Sequence, residues 1–239
     1  MELKGKAAII TGAARGLGLL VAQALAAAGM NIAGVDVRTE ELNAAVGGIA
    51  NKFGVRTLAL PVNIGDEHAV TGMVQQTLRS FGAIDVLVNN AGVRITAPVW
   101  KTESAVWDRI HDSNLKGHFL CTREVLAQHM LERGEGTLIF VSSGSGKKGE
   151  EDSSAYCASK WGIIGFAESV AKDLKKTRIR VTCLTPGMIE TPMAHESEEW
   201  KLGLDWLNAE HVAKAIVFCI KQDSNTIIPE LRIYHRAQI

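Results

Sequence analysis

The chain has 239 residues, a length that α/β folds commonly reach within one domain, and 46% of them are hydrophobic, which is ample for a buried core. Lysine and arginine number 26, as do aspartate and glutamate, so no overall field attracts nucleic acid or an anionic membrane surface. Residues 1–6 show no signal-peptide region, and no apolar run approaches the roughly 20 residues that cross a bilayer. We therefore expect a cytoplasmic protein with no nucleic-acid or membrane partner.

The four cysteines are widely separated along the chain, at Cys121, Cys157, Cys183 and Cys219. They form no CxxC motif and no zinc spacing with histidine. We expect them to be reduced thiols, buried or half-buried, as is usual in a reducing compartment, and we expect no metal site.

Short apolar runs alternate with longer helical patterns, which is typical of βαβ units and a parallel sheet. The predicted strands cover residues 7–10, 31–36, 55–61, 84–88, 137–141, 178–184 and 231–233. The predicted helices cover residues 17–28, 40–53, 66–81, 113–132, 153–175 and 209–221, with Gly29 as a stop and Asp66 as an N-cap. The pattern predicts a doubly wound parallel sheet (a Rossmann fold) with helices on both faces. We expect one domain over residues 1–239, with a short substrate-loop insert around 191–208.

A glycine-rich turn, TGAARGLG at residues 11–18, follows the first predicted strand and opens the first predicted helix. Small residues there let a pyrophosphate approach the N–H groups of a helix N-terminus. The alternative interpretation is a turn that binds no ligand and contains glycine only because its backbone needs positive φ. The strand before, the helix after and an acid about 20 residues further on meet the context of a dinucleotide site.

That acid is Asp36, at the end of the second predicted strand. Its carboxylate can accept hydrogen bonds from the ribose hydroxyls and repel a 2′-phosphate, which favours NAD over NADP. Because Arg15 and Arg38 could pair with a phosphate, NADP stays open. A solvated strand-end carboxylate is the alternative interpretation of Asp36.

Tyr156 and Lys160, in YCASK, are four positions apart and share one face of a predicted helix. A cation beside a phenol favours the phenolate and lowers its pKa from ~10, which makes it a better acid–base group near pH 7. The alternative is an ordinary pair of exposed side chains on the helix. The choice between the two interpretations depends on the residues upstream. The serines of VSS, residues 141–143, end a buried strand and can hold a carbonyl oxygen against the phenol. Asn114 could hold a water beside Lys160, or could simply cap its helix.

In this order and spacing, the motifs resemble the short-chain dehydrogenase/reductase family over nearly the whole chain. The matching stretches are TGAARGLG at 11–18, NNAG at 89–92, SNLKG at 113–117, VSS at 141–143, YCASK at 156–160 and PGMIET at 186–191. The resemblance implies a catalytic tetrad of Asn114, Ser143, Tyr156 and Lys160. It also implies reversible hydride transfer between a secondary alcohol and a ketone, with Tyr156 as the general acid or base.

The resemblance also implies a set of cofactor contacts. Lys160 is expected at the nicotinamide ribose, and Thr191 with the backbone near Gly187 at the carboxamide. The expected contacts are Gly12, Arg15, Gly16, Leu17, Gly18, Asp36, Val37, Asn63, Ile64, Asn90, Ala91, Gly92, Tyr156, Lys160, Pro186, Gly187, Ile189 and Thr191. Asn63 stands where many relatives carry an acidic residue. A homodimer or homotetramer packed through helices 113–132 and 153–175 is expected, although residues 228–233 lack the glycine-rich ending of family tetramers.

The substrate is left open among a 3-oxoacyl thioester, a sugar or polyol, and a small hydroxy acid. Specificity is expected from residues 93–100, 144–152 and 191–208. Lys147 and Lys148 could meet an anionic carrier or belong to a solvated loop, and Trp200 and Trp206 could cap a substrate or pack on the sheet. Two other functions are weighed. A non-enzymatic dinucleotide-binding sensor or scaffold would not require the tetrad. A methyltransferase would give the residues of YCASK no role.

Overall fold

The computed structural model describes residues 2–195, 203 and 205–239. The strands of its central sheet are β1 (Ala7–Thr11), β2 (Asn31–Asp36), β3 (Thr57–Pro61), β4 (Val86–Asn89), β5 (Glu135–Val141), β6 (Arg178–Pro186) and β9 (Glu230–Ile233). These seven strands are parallel and lie in the order β3-β2-β1-β4-β5-β6-β9. The predicted insert contributes the short parallel pair β7 (Ile189–Glu190) and β8 (Leu207–Asn208), with α8 (Pro192–His195) after β7. The doubly wound parallel sheet predicted from the sequence is confirmed.

Helices cover both faces of the sheet through two separate apolar clusters. One cluster holds side chains of α1 (Gly16–Ala27), α2 (Thr39–Phe53) and α9 (Ala209–Lys221). The other holds side chains of α3 (Glu67–Phe81), α5 (Gly117–Val125) and α7 (Ser154–Asp173). The strands between them are buried on both sides, which explains why they appear in the sequence as continuous apolar runs.

Both ends of α3 are capped by residues suited to that position. The Asp66 carboxylate accepts a hydrogen bond from the Ala69 N–H at 3.0 Å, so it caps α3 as predicted. Gly82, with φ of 81°, ends the same helix in the left-handed region that glycine adopts without strain. Among the described residues, no helix combines the length and apolar character needed to span a membrane.

The predicted helix 113–132 is too short, because the chain is already helical from Ser104. The helical run comprises α4 (Ser104–His111), a π-helical turn (Asp112–Lys116), α5, a second π-helical turn (Leu126–Met130) and α6 (Leu131–Arg133). With 8 residues, α4 is shorter than the window over which helical periodicity is read from a sequence. Asn114 therefore lies inside a helical run and not at its start, and the capping role considered for it is wrong.

The strand order reverses between β1 and β4, which open a crevice at their carboxyl ends. Two residues join these strand ends. Thr11 Oγ1 accepts hydrogen bonds from the N–H groups of Asn90 and Ala91, each at 3.0 Å. The Asn90 side chain in turn donates to the Thr11 carbonyl at 2.9 Å. The glycine-rich turn and the NNAG turn are thereby held side by side at the crevice.

Candidate active site

A cavity of about 970 Å³ lies at this carboxyl edge. It reaches from Asp36 at one end to Tyr156 at the other. Most predicted site residues line it, namely Gly12, Arg15, Gly16, Leu17, Gly18, Asp36, Asn90, Ala91, Gly92, Ser143, Tyr156, Lys160, Pro186, Gly187, Ile189 and Thr191. A smaller cavity of about 90 Å³ shares the wall near Asp36 and is lined by Val37, Asn63 and Ile64. Of the predicted site residues, all of which the structure describes, Asn114 alone lines neither cavity.

The glycine-rich turn has the geometry that a dinucleotide requires. Gly12 and Gly16 have φ of 71° and 58°, where a side chain would be strained. A Cβ on Gly18 would overlap the Gly12 carbonyl oxygen, so the third glycine lets the helix pack against the turn. The first turn of α1 carries no acidic side chain and borders the cavity, so its N–H groups and the helix dipole favour an anion there. These residues therefore fit a dinucleotide pyrophosphate.

Asp36 is held firmly at the far end of the cavity. Its carboxylate accepts hydrogen bonds from the N–H groups of Ala14 at 3.2 Å and Arg38 at 3.1 Å. The Arg38 guanidinium lies 3.5 Å from the same carboxylate and is partly exposed. The acid predicted to favour NAD and the arginine predicted to be able to pair with a phosphate therefore lie next to each other.

Tyr156 and Lys160 face the same side of α7, as their spacing predicts. The Lys160 Nζ lies 5.6 Å from the centroid of the Tyr156 ring and donates a hydrogen bond to the Val141 carbonyl at 3.0 Å. Burial lowers the pKa of Lys160 to about 8. Burial also raises the pKa of Tyr156, so the lowering expected from the lysine does not prevail over desolvation of the phenol.

Ser142 and Ser143, the two serines after β5, make different contacts. The Ser142 hydroxyl is buried and donates to the Lys160 carbonyl at 2.8 Å, which joins the strand end to α7. The Ser143 side chain acts to lower the pKa of the Tyr156 phenol, against the larger effect of burial, and its hydroxyl donates to Ser145 Oγ at 3.2 Å. Of the two serines, Ser143 is therefore the one whose side chain acts on the phenol.

Asn114 does not line the cavity, but it is hydrogen-bonded to Val93, which does. Its side chain pairs with the backbone of Val93, accepting from the N–H at 2.8 Å and donating to the carbonyl at 3.0 Å. It also donates to the Ser159 hydroxyl at 3.1 Å, which connects it to the helix of Tyr156. His118, one turn further on, donates from Nε2 to the Ala91 carbonyl at 2.9 Å. Burial, with a smaller effect of the Lys160 charge, lowers the pKa of His118 to about 3, so the ring is neutral.

Arg94, Ser145 and Glu150 line the cavity and lie in the segments 93–100 and 144–152, from which specificity is expected. Tyr234 and Gln238 also line it, from a C-terminal segment that carries no signal in the sequence. Gln238 exchanges two hydrogen bonds, each 3.1 Å, with the N–H and carbonyl of Met188. Tyr234 and Gln238 belong to none of the sequence motifs, so their place in the site is visible only in the folded chain.

Of the substrate-side residues predicted from the sequence, Lys148 and Trp206 line the cavity. Lys147 is instead paired with Glu230 at 2.9 Å, which anchors its loop. Trp200 lies outside the described residues. Among the residues that the structure describes, no three histidine, cysteine, aspartate or glutamate side chains are grouped as metal ligands would be.

A family model described as short chain dehydrogenase matches residues 6–202. The chain belongs to the short-chain dehydrogenase family. Among curated relatives, a subunit (BbsD) of (2S)-[(R)-hydroxy(phenyl)methyl]succinyl-CoA dehydrogenase from Thauera aromatica is 37% identical over 83% of this chain and 79% of its own. The 3-oxoacyl-[acyl-carrier-protein] reductase FabG of Thermotoga maritima is 33% identical over 95% of each chain.

Solved structures agree with this placement in the short-chain dehydrogenase family. A variant of actinorhodin polyketide ketoreductase crystallised with NADPH matches with a TM-score of 0.89 and 28% identity, covering 95% of each chain. Levodione reductase matches with the same TM-score and identity, covering 96% of each chain. This short-chain dehydrogenase is therefore an NAD(P)-dependent oxidoreductase with a small-molecule substrate, as the sequence predicts.

Proposed function

We propose that this short-chain dehydrogenase interconverts a secondary alcohol and a ketone, with Tyr156 as the general acid or base. The observation that carries the proposal is that Ser143, Tyr156 and Lys160 line one wall of a cavity whose other end has the geometry of a dinucleotide site. A bound nicotinamide dinucleotide supplies or accepts the hydride. The chain contributes orientation, proton transfer and charge.

In the reduction direction, Ser143 and Tyr156 bind the substrate carbonyl oxygen between their hydroxyls. The phenol O–H bond breaks and its proton goes to that oxygen, and oxidation is the reverse. Lys160 contributes its positive charge, which stabilises the phenolate that remains on Tyr156. Asn114 holds Val93 and Ser159 and is proposed to keep a water beside Lys160, by which protons pass to and from solvent.

The dinucleotide is proposed to lie along the predicted contacts. Gly12, Gly16 and Gly18 would face its pyrophosphate, and Asp36 the adenine ribose. Asn63 would replace the usual acidic contact to the adenine, since an amide can also pair with an amino group. Thr191 and the backbone near Gly187 would face the carboxamide.

NAD is the proposed cofactor, because the Asp36 carboxylate is buried where a 2′-phosphate would bring a second negative charge. Initial rates with NADH and NADPH on a 3-oxoacyl thioester, a keto sugar and a small keto acid should show turnover with at least one substrate class and a lower KM for NADH. Asp36→Asn should narrow the NADH preference by roughly tenfold, since it removes the repulsion but keeps the side-chain shape. Equal KM values for both cofactors in the wild type would refute the proposed preference.

A thioester is the proposed substrate class to examine first. It is supported by the names of two relatives, one acting on a CoA thioester and one on an acyl-carrier-protein thioester. The alternative of a non-enzymatic sensor or scaffold predicts dinucleotide binding without turnover on any of these ketones, and the same assay separates it from catalysis.

A homodimer or homotetramer is proposed from the resemblance, with a second copy covering α5 and α7. Phe119 and Trp161 are large apolar side chains on these helices and are 41% and 52% exposed, which suits an interface. Sedimentation velocity should give two or four times the 25.7 kDa chain mass, and a purely monomeric species would refute the proposal. Residues 1–239 are proposed to act as one domain, and the four buried free thiols support a cytoplasmic location.

A further inference from the structure

The turn at residues 187–188 joins β6 to β7 and lines the cavity where the carboxamide of the nicotinamide is proposed to lie. Contacts from later parts of the chain hold its backbone. The Gly187 N–H donates to the Ile233 carbonyl, and the Leu207 N–H donates to the Met188 carbonyl, each at 2.8 Å. The turn is thereby joined to both β9 and β8.

The Gln238 side chain holds both backbone groups of Met188. Its Oε1 accepts from the Met188 N–H and its Nε2 donates to the Met188 carbonyl, each at 3.1 Å. The same Nε2 also donates to the Asp205 carbonyl at 2.8 Å. Both N–H bonds of the amide are therefore in use, and they connect the turn to Asp205, which lines the same cavity.

The turn is packed closely against the segment that carries Gln238. A Cβ on Gly187 would overlap the Gln238 amide and would lie 2.7 Å from the Tyr234 ring. The φ of Gly187 is not positive, so its backbone does not itself require glycine. The close approach of Gln238 and Tyr234 is therefore what excludes a side chain at residue 187.

The bonds to Met188 determine the direction of the next residue. Successive residues of an extended strand turn their backbone groups to opposite sides. The Met188 carbonyl faces Leu207 and Gln238. The N–H and carbonyl of Ile189, which lines the cavity, therefore face away from both. The Thr191 hydroxyl donates to the Ile189 carbonyl at 3.5 Å, so both residues expected near the carboxamide meet there. A carboxamide can both accept and donate, which matches a backbone N–H and carbonyl.

We propose that Gln238 is a positioning residue for the nicotinamide, because its bonds to Met188 fix the backbone of Ile189 in the direction that the carboxamide requires. The inference rests on the proposed function, in which the nicotinamide end of the dinucleotide lies at residues 186–191. Gln238 acts through Met188, since both of its N–H bonds are already used by backbone carbonyls. Its loss should therefore weaken contacts to the nicotinamide and leave contacts to the rest of the dinucleotide unchanged.

The test measures the Kd of NADH and of ADP-ribose, which has the adenine, the pyrophosphate and both riboses but no nicotinamide. Gln238→Met keeps the length of the side chain and removes its hydrogen bonds. Gln238→Glu keeps the acceptor for the Met188 N–H and removes both donors. In each variant the ratio of the NADH Kd to the ADP-ribose Kd should rise by about fivefold or more, since hydrogen bonds that fix the turn are lost.

Gln222→Met is the matched control, because the Gln222 amide also donates to a backbone carbonyl, that of Phe218 at 2.9 Å, and Gln222 lines neither cavity. Its ratio of Kd values should equal that of the wild type. An unchanged ratio in either Gln238 variant, an equal loss of affinity for NADH and ADP-ribose, or the same rise in Gln222→Met would each overturn the inference. A wild-type protein that binds neither ligand would instead overturn the proposed function.

Discussion

Tyr156→Phe should lower kcat by about 10²–10⁴-fold, the usual contribution of general acid–base catalysis. The phenylalanine ring has the shape of the phenol ring that it replaces, so the fold should be unchanged, but no proton can pass between position 156 and the substrate oxygen. Dinucleotide affinity should remain near that of the wild type, since the glycine-rich turn and Asp36 lie at the other end of the cavity. Steady-state kinetics and a fluorescence titration with NADH measure the two quantities separately.

Tyr234→Phe is the matched control, because Tyr234 is the other tyrosine in the chain and also lines the cavity. It removes a hydroxyl from the same cavity without touching the proposed acid. Its loss of kcat should be at least tenfold smaller than that of Tyr156→Phe. Comparable losses would indicate that any cavity hydroxyl matters equally, and would contradict the assignment of Tyr156 as the acid.

Lys160→Met should lower kcat by roughly hundredfold or more, and yet it should increase the free energy of unfolding at pH 7. The ammonium is buried, and its pKa falls from 10.5 to about 8 on folding. That difference corresponds to about 3 kcal/mol of folding free energy lost to the buried charge. Methionine keeps the apolar stem but gives up the hydrogen bond to the Val141 carbonyl, worth about 1 kcal/mol. The net gain at pH 7 is therefore about 2 kcal/mol.

The same lowering of the Lys160 pKa determines how the gain depends on pH. Below about pH 8 the lysine is protonated in both the folded and the unfolded chain, so the full cost of burial is present. Between about pH 8 and 10.5 the folded chain loses the proton while the unfolded chain keeps it, and the wild type becomes more stable as the pH rises. Lys160→Met should therefore lose its advantage across that window.

Chemical denaturation at about pH 7 and about pH 10 measures this difference. Lys172→Met is the control, since Lys172 is an exposed lysine on the same helix and should change neither stability nor kcat. If Lys160→Met is less stable than the wild type at neutral pH, contacts of the ammonium outweigh its burial, and desolvation is not what lowers its pKa.

The sequence by itself determined the fold class and the ends of most elements. Buried parallel strands must be apolar on both faces, and capping residues such as Asp66 satisfy local backbone groups, so these features leave a direct mark on neighbouring residues. Tyr156 and Lys160 could be paired for the same reason, because one turn of helix brings them together. The glycines at residues 12, 16 and 18 were recognisable because their role is a matter of local backbone space.

Only the tertiary structure decided how these groups are tuned and what else borders them. Burial opposes the effect expected of Lys160 on Tyr156, and burial is a property of the whole packed domain. Asn114 lies in a π-helical turn and not at a helix start, because it is preceded by α4, a helix of 8 residues that is too short to be recognised by its period. Gln238 lines the cavity from a C-terminal segment that no periodicity describes, whereas the loop of residues 144–152 is expected near the substrate from the sequence. Side-chain spacing within one helix is local and can be read along the chain, whereas desolvation and long-range contact exist only once distant segments have packed together.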